Sequence, residues 1–236
     1  MPGRWKKTKF LVGLLLLPFC AAATLTFLRV VQVLAEAPAR LPWLHVAATA
    51  AGVVIWFLVW LLLPRLTRTY VLGHELTHAL WTMLFGGRPS HLRVTSSGGS
   101  VRVTKTNVWV TLAPYFFPFY TLLVVLFWLI LRACWPAARP YAPIALFWIG
   151  LTYAFHLTFT LHYLRAGQPD VYEHGRLFSY ALIYLINLLT LASALIAVSA
   201  WTFRGALADF AQHLAAMLHF LDTLRQWLIT RLPALR

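Results

Sequence analysis

Long apolar runs separated by short polar segments dominate this chain. A run of about 20 apolar residues is long enough to cross a bilayer as a helix. Five runs are near or above that length, at residues 10–28, 41–63, 107–131, 141–164 and 177–202. A sixth, shorter helical stretch covers residues 70–85 and ends at Gly86 and Gly87. The pattern predicts about six transmembrane helices.

Two segments follow a different period. Residues 91–105 alternate apolar and polar positions around a Gly/Ser-rich centre, which predicts a membrane-associated β-hairpin. From Arg204 onward, apolar residues recur every three or four positions. That spacing predicts an amphipathic helix at the membrane interface, and it also fits a cytosolic packing helix. Pro114 and Pro118 are expected to kink the span over residues 107–131.

The fold class predicted from these patterns is an all-α polytopic membrane protein in three parts. Residues 1–69 hold two N-terminal transmembrane helices, residues 70–202 form the membrane core, and residues 203–236 form the amphipathic C-terminal helix. The first run also resembles a signal peptide with a small-residue zone after Cys20. Its length favours a helix that is retained.

Composition excludes an ordinary soluble domain. Hydrophobic residues make up 61% of the chain and charged residues 11%, against about 25% charged in soluble domains. Twenty Lys and Arg against six Asp and Glu give a net charge of +14. These basic residues flank the apolar runs, so anionic lipid and topology explain them better than nucleic acid does. The segments on the same side of the membrane as the N-terminus carry slightly more Lys and Arg than those on the other side, which favours a cytoplasmic N-terminus.

The sequence His74-Glu75-Leu76-Thr77-His78 lies in the shorter helical stretch. Residues four apart share one face of a helix, so both imidazoles can reach one zinc ion, and Glu75 can act on a water bound there. With this composition, chance gives the pattern in roughly 0.4% of chains. The alternative is a pair of packing histidines beside a buried Glu. It is disfavoured because each ionisable group in a membrane helix costs about 3 kcal/mol.

A zinc site needs a third protein ligand. Asp170 is the first choice because it is an acid at the end of an apolar span, with Glu173 and His174 as rivals. His156 and His162 lie within a span, six residues apart and on different faces of the helix, so packing roles are expected for them. Cys20 and Cys134 are too far apart for a metal knuckle or a disulfide framework.

The order of these elements resembles the site-two protease family of intramembrane zinc metalloproteases. The resemblance covers residues 71–187 and depends on the His-Glu-x-x-His helix, Gly86-Gly87 and the hairpin. It implies that His74, His78 and Asp170 hold Zn²⁺ and that Glu75 is the general base. In that family the hairpin is thought to present the substrate as an added strand. The family's Asp is usually followed by Gly, whereas Val171 follows Asp170 here.

The implied function is that of a zinc-dependent endopeptidase cutting membrane-anchored proteins in a bacterial cytoplasmic membrane. Two other hypotheses remain open: a metal-binding scaffold or regulator without proteolysis, and a transporter with an intramembrane ion path. Asn107 and Asn187 are candidate donors to a reaction oxyanion, although interhelical hydrogen bonds are the ordinary role of such residues. The lipid bilayer and a membrane-anchored substrate are the expected partners, and the sequence specifies no oligomeric state.

Overall fold

The structure is a computed structural model that describes residues 2–36, 42–95 and 98–231, with side chains from Lys6 onward. The described residues form nine α-helices and one two-stranded sheet. In chain order the elements are α1 (Pro2–Glu36), α2 (Trp43–Leu62), α3 (Thr67–Leu84), β1 (Pro89–Val94), β2 (Gly99–Val103), α4 (Val108–Leu112), α5 (Phe119–Cys134), α6 (Ala142–Ala166), α7 (Pro169–His174), α8 (Arg176–Val198) and α9 (Phe203–Arg231). Leu41, the hairpin residues Ser96 and Ser97, and residues 232–236 of the expected C-terminal helix lie outside the described residues.

The predicted architecture, mostly helical with one small sheet, is confirmed. Among the described residues, four helices are long and apolar enough to cross a membrane: α1, α2, α6 with the 3₁₀ turn before it, and α8. A fifth span results if α4 and α5 are counted together. The α3 helix is not among these spans, and the count of about six stays a prediction.

The span predicted over residues 107–131 is broken rather than kinked. The α4 helix has five residues and continues into a 3₁₀ turn containing Pro114, and α5 begins directly after Pro118. The two helical parts meet at 82°. Each proline lacks a backbone N–H and crowds the preceding turn, so two of them four residues apart end one helix and start another.

The hairpin forms an antiparallel pair in which Ser90 faces Arg102 and Arg93 faces Ser100. Between these two pairs, His91 and Leu92 of β1 oppose Val101 alone of β2, which is a β-bulge. His91 lies in the bulge with a φ of 51°. The prediction of a hairpin after the His-Glu-x-x-His helix is confirmed, with the strands at residues 89–94 and 99–103.

The chain divides into two compact units, one of which comprises residues 1–40 and 175–236. In this unit α1 packs against α8 and α9. A Cβ atom at Gly13 would lie 2.8 Å from the backbone nitrogen of Phe178, so only glycine permits this approach. The Thr26 hydroxyl donates to Asp209 Oδ2 at 2.9 Å, and His213 Nδ1 lies 3.1 Å from the same oxygen. Part of the polar face of α9 is therefore paired with α1.

The other unit, residues 41–174, contains the His-Glu-x-x-His helix. In this unit α2 packs closely against α6. A Cβ atom at Gly52 would lie 2.0 Å from the Phe147 carbonyl oxygen, and one at Gly150 would lie 2.2 Å from the Thr49 carbonyl oxygen. The two backbones therefore touch through glycine, as small residues allow where helices associate in membranes.

A buried aromatic cluster joins α3 to this helix pair. Trp56 of α2 packs edge-on against Phe155 of α6 with ring centres 4.9 Å apart, and Tyr70 of α3 stacks on Phe159 at 4.8 Å. All four side chains are buried. Since Tyr70 lies one helical turn before His74, the cluster fixes the position of the His-Glu-x-x-His segment.

Substituting Gly52 with Val is expected to separate α2 from α6. The added side chain has no room against Phe147, and overpacking of this kind costs about 1–3 kcal/mol. Thermal unfolding of the purified protein in detergent should therefore shift to lower temperature. Ala51→Val is the matched control because Ala51 is exposed on the same helix. Equal unfolding temperatures for both variants would show that the close contact does not limit stability.

Candidate metal centre

The α3 helix places two imidazoles side by side. His74 and His78 lie one turn apart, and their Nε2 atoms are 3.1 Å from each other. The predicted end of this helix is confirmed, because Gly86 follows it with a φ of +70°, a conformation that glycine adopts without strain. Helical periodicity thus places both imidazoles on one face of α3.

Asp170 reaches these histidines from α7, a helix of six residues that begins at Pro169. Proline suits a first helical position because its fixed φ matches the helix and its missing N–H is not needed there. Asp170 Oδ2 lies 3.4 Å from His74 Nε2 and 3.7 Å from His78 Nε2. The structure therefore brings together the three residues expected as ligands.

The three atoms have the spacing of one face of a tetrahedral zinc site. Zinc bonds of 2.0–2.1 Å at tetrahedral angles separate neighbouring ligand atoms by about 3.3–3.4 Å. The observed separations are 3.1, 3.4 and 3.7 Å. Two imidazole nitrogens and one carboxylate oxygen are also a donor set that zinc accepts, with a fourth position left for water or substrate. These residues fit a zinc ion.

Asp170 has the charge state that a ligand needs. Burial by itself would raise the pKa of this carboxyl group. The hydrogen bonds from His74 and His78 outweigh that effect and hold the pKa of Asp170 well below its ordinary value. The carboxylate is therefore anionic at neutral pH.

The orientation of His78 depends on a carbonyl group released by the break in the neighbouring helix. His78 Nδ1 donates to the carbonyl oxygen of Val110 at 2.8 Å. In a regular helix that oxygen would accept from residue 114, but Pro114 has no N–H to donate. With its proton on Nδ1, a neutral His78 keeps the Nε2 lone pair available for a metal ion, and Nε2 donates to Asp170 only when it is protonated as well. The Asn107 side chain caps α4 by accepting from the Val110 N–H at 2.9 Å.

Tyr115 contacts the other two candidate ligands, Asp170 and His74, and this role was not predicted from the sequence. Its hydroxyl donates to Asp170 Oδ2 at 2.9 Å, and its ring packs edge-on against His74 with centres 5.3 Å apart. The side chain is fully buried. His74 Nδ1 has no hydrogen-bond partner among the described residues, so its ring is held by packing against Tyr115 and Tyr70.

Glu75 lies beside the ligands and against β2. A Cβ atom at Gly99 would lie 2.5 Å from Val71 Cγ1 and 2.9 Å from Glu75 Oε1, so any larger residue there would displace the side chains of Val71 and Glu75. The backbone N–H of Val101 donates to the Glu75 carboxylate. Glu75 is buried, and one end of its carboxylate is held by the strand.

These side chains line a cavity of about 310 Å³ between α3, β2, α4 and α7. Hydroxyl groups of Thr106 and Thr111 also line it, 3.1 Å from each other. Neither asparagine considered as an oxyanion donor reaches the cavity. Asn107 caps α4, and the Asn187 amide donates to the Ile183 carbonyl of its own helix.

The rival ligands take other positions. Glu173 lines the cavity but is not part of the cluster of possible metal ligands found among the described residues. His174 is buried outside that cluster. His162 lies 3.3 Å from an Arg65 guanidinium nitrogen, and His156 is buried within α6. Neither His156 nor His162 belongs to the cluster formed by His74, His78 and Asp170.

Substituting Tyr115 with Phe is expected to weaken zinc binding about 10- to 100-fold, as loss of a partner that orients a metal ligand usually does. Competition with a chromogenic chelator measures this affinity directly. Tyr120→Phe is the control, since the Tyr120 hydroxyl donates to the Thr69 carbonyl and to no ligand. Zinc affinity unchanged in Tyr115→Phe would show that Asp170 is oriented without this hydroxyl.

None of the family models, curated proteins or solved structures compared with this chain matches it.

Proposed function

We propose that this chain is a zinc-dependent intramembrane endopeptidase that hydrolyses peptide bonds of membrane-anchored proteins. The observation that carries the proposal is the convergence of His74, His78 and Asp170 on one point, with Glu75 beside them in the same cavity. The resemblance of the sequence to the site-two protease family agrees with this arrangement.

The residues of the centre have distinct roles in this reaction. His74, His78 and Asp170 would hold the ion. Bound zinc polarises a scissile carbonyl group and makes water nucleophilic near neutral pH. The Glu75 carboxylate takes the proton from the attacking water and passes it to the leaving amine. The hydrogen bond from the Val101 N–H fixes one end of that carboxylate.

The β2 strand offers a place to hold an unwound substrate. Thr104 N–H donates to the Arg88 carbonyl oxygen at 3.2 Å, so the backbone of Thr104 faces β1. Since backbone direction alternates along a strand, Gly99, Val101 and Val103 face away from β1, and all three line the cavity. A substrate segment added along this edge would lie next to Glu75 in extended form.

The Thr106 and Thr111 hydroxyls, rather than Asn107 or Asn187, are the proposed hydrogen-bond donors to the reaction oxyanion. In their hydrogen bond one hydroxyl donates to the other, which leaves one proton free to donate toward the cavity. A donor in that position stabilises negative charge that develops on a substrate carbonyl oxygen.

The proposed location is a bacterial cytoplasmic membrane, with the lipid bilayer and a membrane-anchored substrate as partners. Four helices of membrane-spanning length and hydropathy support an integral membrane protein. Hydrolysis requires water at the centre, and polar side chains line the cavity that the water would enter. A count of about six spans would require α3 and the broken α4–α5 pair to lie in the membrane.

Zinc analysis of the detergent-purified protein is expected to find about one ion per chain. The double variant His74→Ala/His78→Ala should lose it, and Asp170→Ala should bind it more weakly, because each removes donor atoms. A second double variant, His213→Ala/His219→Ala, removes two histidines of α9 and should keep the ion. If the wild-type protein takes up no zinc when zinc is supplied, the proposed function is wrong.

Glu75→Gln is expected to keep zinc and to lower the rate of peptide-bond cleavage by at least about 100-fold, because the amide cannot accept the proton. Cleavage of synthetic single-span peptides in liposomes, followed by mass spectrometry, measures this rate. Glu36→Gln changes an exposed acid that does not line the cavity and should cleave like the wild-type protein.

Two outcomes of this experiment would contradict the proposal. Unchanged cleavage by Glu75→Gln would remove Glu75 from the role of base. Zinc bound by a wild-type protein that cleaves none of the peptides would favour the alternative function, a metal-binding membrane scaffold or regulator.

A further inference from the structure

The cavity beside the metal centre has an unusual charge for this chain. The protein has 20 Lys and Arg but only six Asp and Glu. Three of those six acids, Glu75, Asp170 and Glu173, line this one cavity, and no Lys or Arg is among its described lining residues. A strongly basic protein thus encloses an acidic cavity.

Two of these three acids have a part in the proposed chemistry, and Glu173 does not. Asp170 and Glu173 lie three residues apart on α7, so they project from the same side of the helix. That side lines the cavity at both positions. Asp170 is oriented by His74, His78 and Tyr115, whereas Glu173 is exposed and belongs to no ion pair formed by the described residues.

Because Glu173 lines the cavity without an ion-pair partner among the described residues, its carboxylate attracts or repels charged groups that enter the cavity. A positive charge brought within about 4 Å of this carboxylate is attracted to it, several times more strongly in a partly enclosed site than in water. A Glu or Asp at the same point of a substrate is repelled to a similar extent. Glu173, one helical turn from Asp170, therefore lets the cavity discriminate between substrates by their charge.

We propose that Glu173 makes this cavity selective for substrates that carry Lys or Arg close to the bond to be cut. The inference deepens the proposed function and depends on it. It defines the substrate as a membrane-anchored protein whose unwound segment contains a basic residue. Such residues are common where transmembrane helices leave the bilayer on the cytoplasmic side.

The test uses matched single-span peptides that differ only in having Lys, Gln or Glu at positions within three residues of the cleaved bond. Zinc-loaded full-length protein in liposomes should cut the best Lys peptide about tenfold faster than its Gln counterpart, and the Glu peptide more slowly still. Glu173→Gln should reduce the Lys-to-Gln ratio to about one, and Glu173→Lys should favour the Glu peptide. Glu36→Gln should keep the wild-type ratio.

A binding measurement separates this proposal from the proposed function. The Glu75→Gln variant, which holds the peptide without turning it over, should bind the Lys peptide more tightly than the Gln peptide. The difference should shrink between 0.05 and 0.5 M salt, where the Debye length falls to about 4 Å. Adding Glu173→Gln to this variant should remove the difference.

Three results would each give a clear decision. Cleavage with a Lys preference that persists in Glu173→Gln, or with no charge preference at all, overturns the role of Glu173 and leaves the endopeptidase proposal intact. Charge-selective binding that requires Glu173, in a wild-type protein that cuts no peptide, supports the acidic cavity and overturns the endopeptidase proposal. Loss of the preference in Glu173→Gln together with its reversal in Glu173→Lys supports both.

Discussion

The hydrogen bond from His78 Nδ1 to the Val110 carbonyl oxygen is the constraint on which the centre depends. It exists because Pro114 cannot supply the N–H that would otherwise occupy that oxygen. The same proline ends α4, allows the 82° turn into α5, and precedes Tyr115, which reaches Asp170. The break between α4 and α5 thus positions two candidate ligands, His78 and Asp170, and the carbonyl group that it leaves unpaired is hydrogen-bonded by His78.

Those parts of the fold and the site that depend on local periodicity could be predicted from the sequence. The four-residue spacing of His74 and His78 requires only a helix, and Gly86 marks where that helix ends. Alternation over residues 91–105 likewise predicts two strands without reference to the rest of the chain. In each case the geometry depends on neighbours in sequence, which is the information that a pattern contains.

The choice of the third candidate ligand and the role of Tyr115 could not be predicted, because both depend on contacts between residues distant in sequence. Asp170, Glu173 and His174 lie within five residues, and only the placement of α7 decides which one meets the histidines. A helix of six residues is too short to produce a periodic signal of its own. Tyr115 looks like any aromatic residue in an apolar run, since its sequence context does not show where its hydroxyl points. The break between α4 and α5 is the exception, because Pro114 and Pro118 are a local signal whose spacing is enough to end one helix and begin another.

The distance along the chain between the ligands has a consequence for how the protein is made. During synthesis from the N-terminus, α3 leaves the ribosome with two imidazoles, and Asp170 follows only after α4, α5 and α6 have been translated. Until α7 has emerged and docked, the nascent chain contains only two of the three proposed donors, both on α3. The proposed zinc ion would therefore bind only late in synthesis, after α7 has been translated. A chain truncated before residue 170 would be inserted with its histidines but without a closed site.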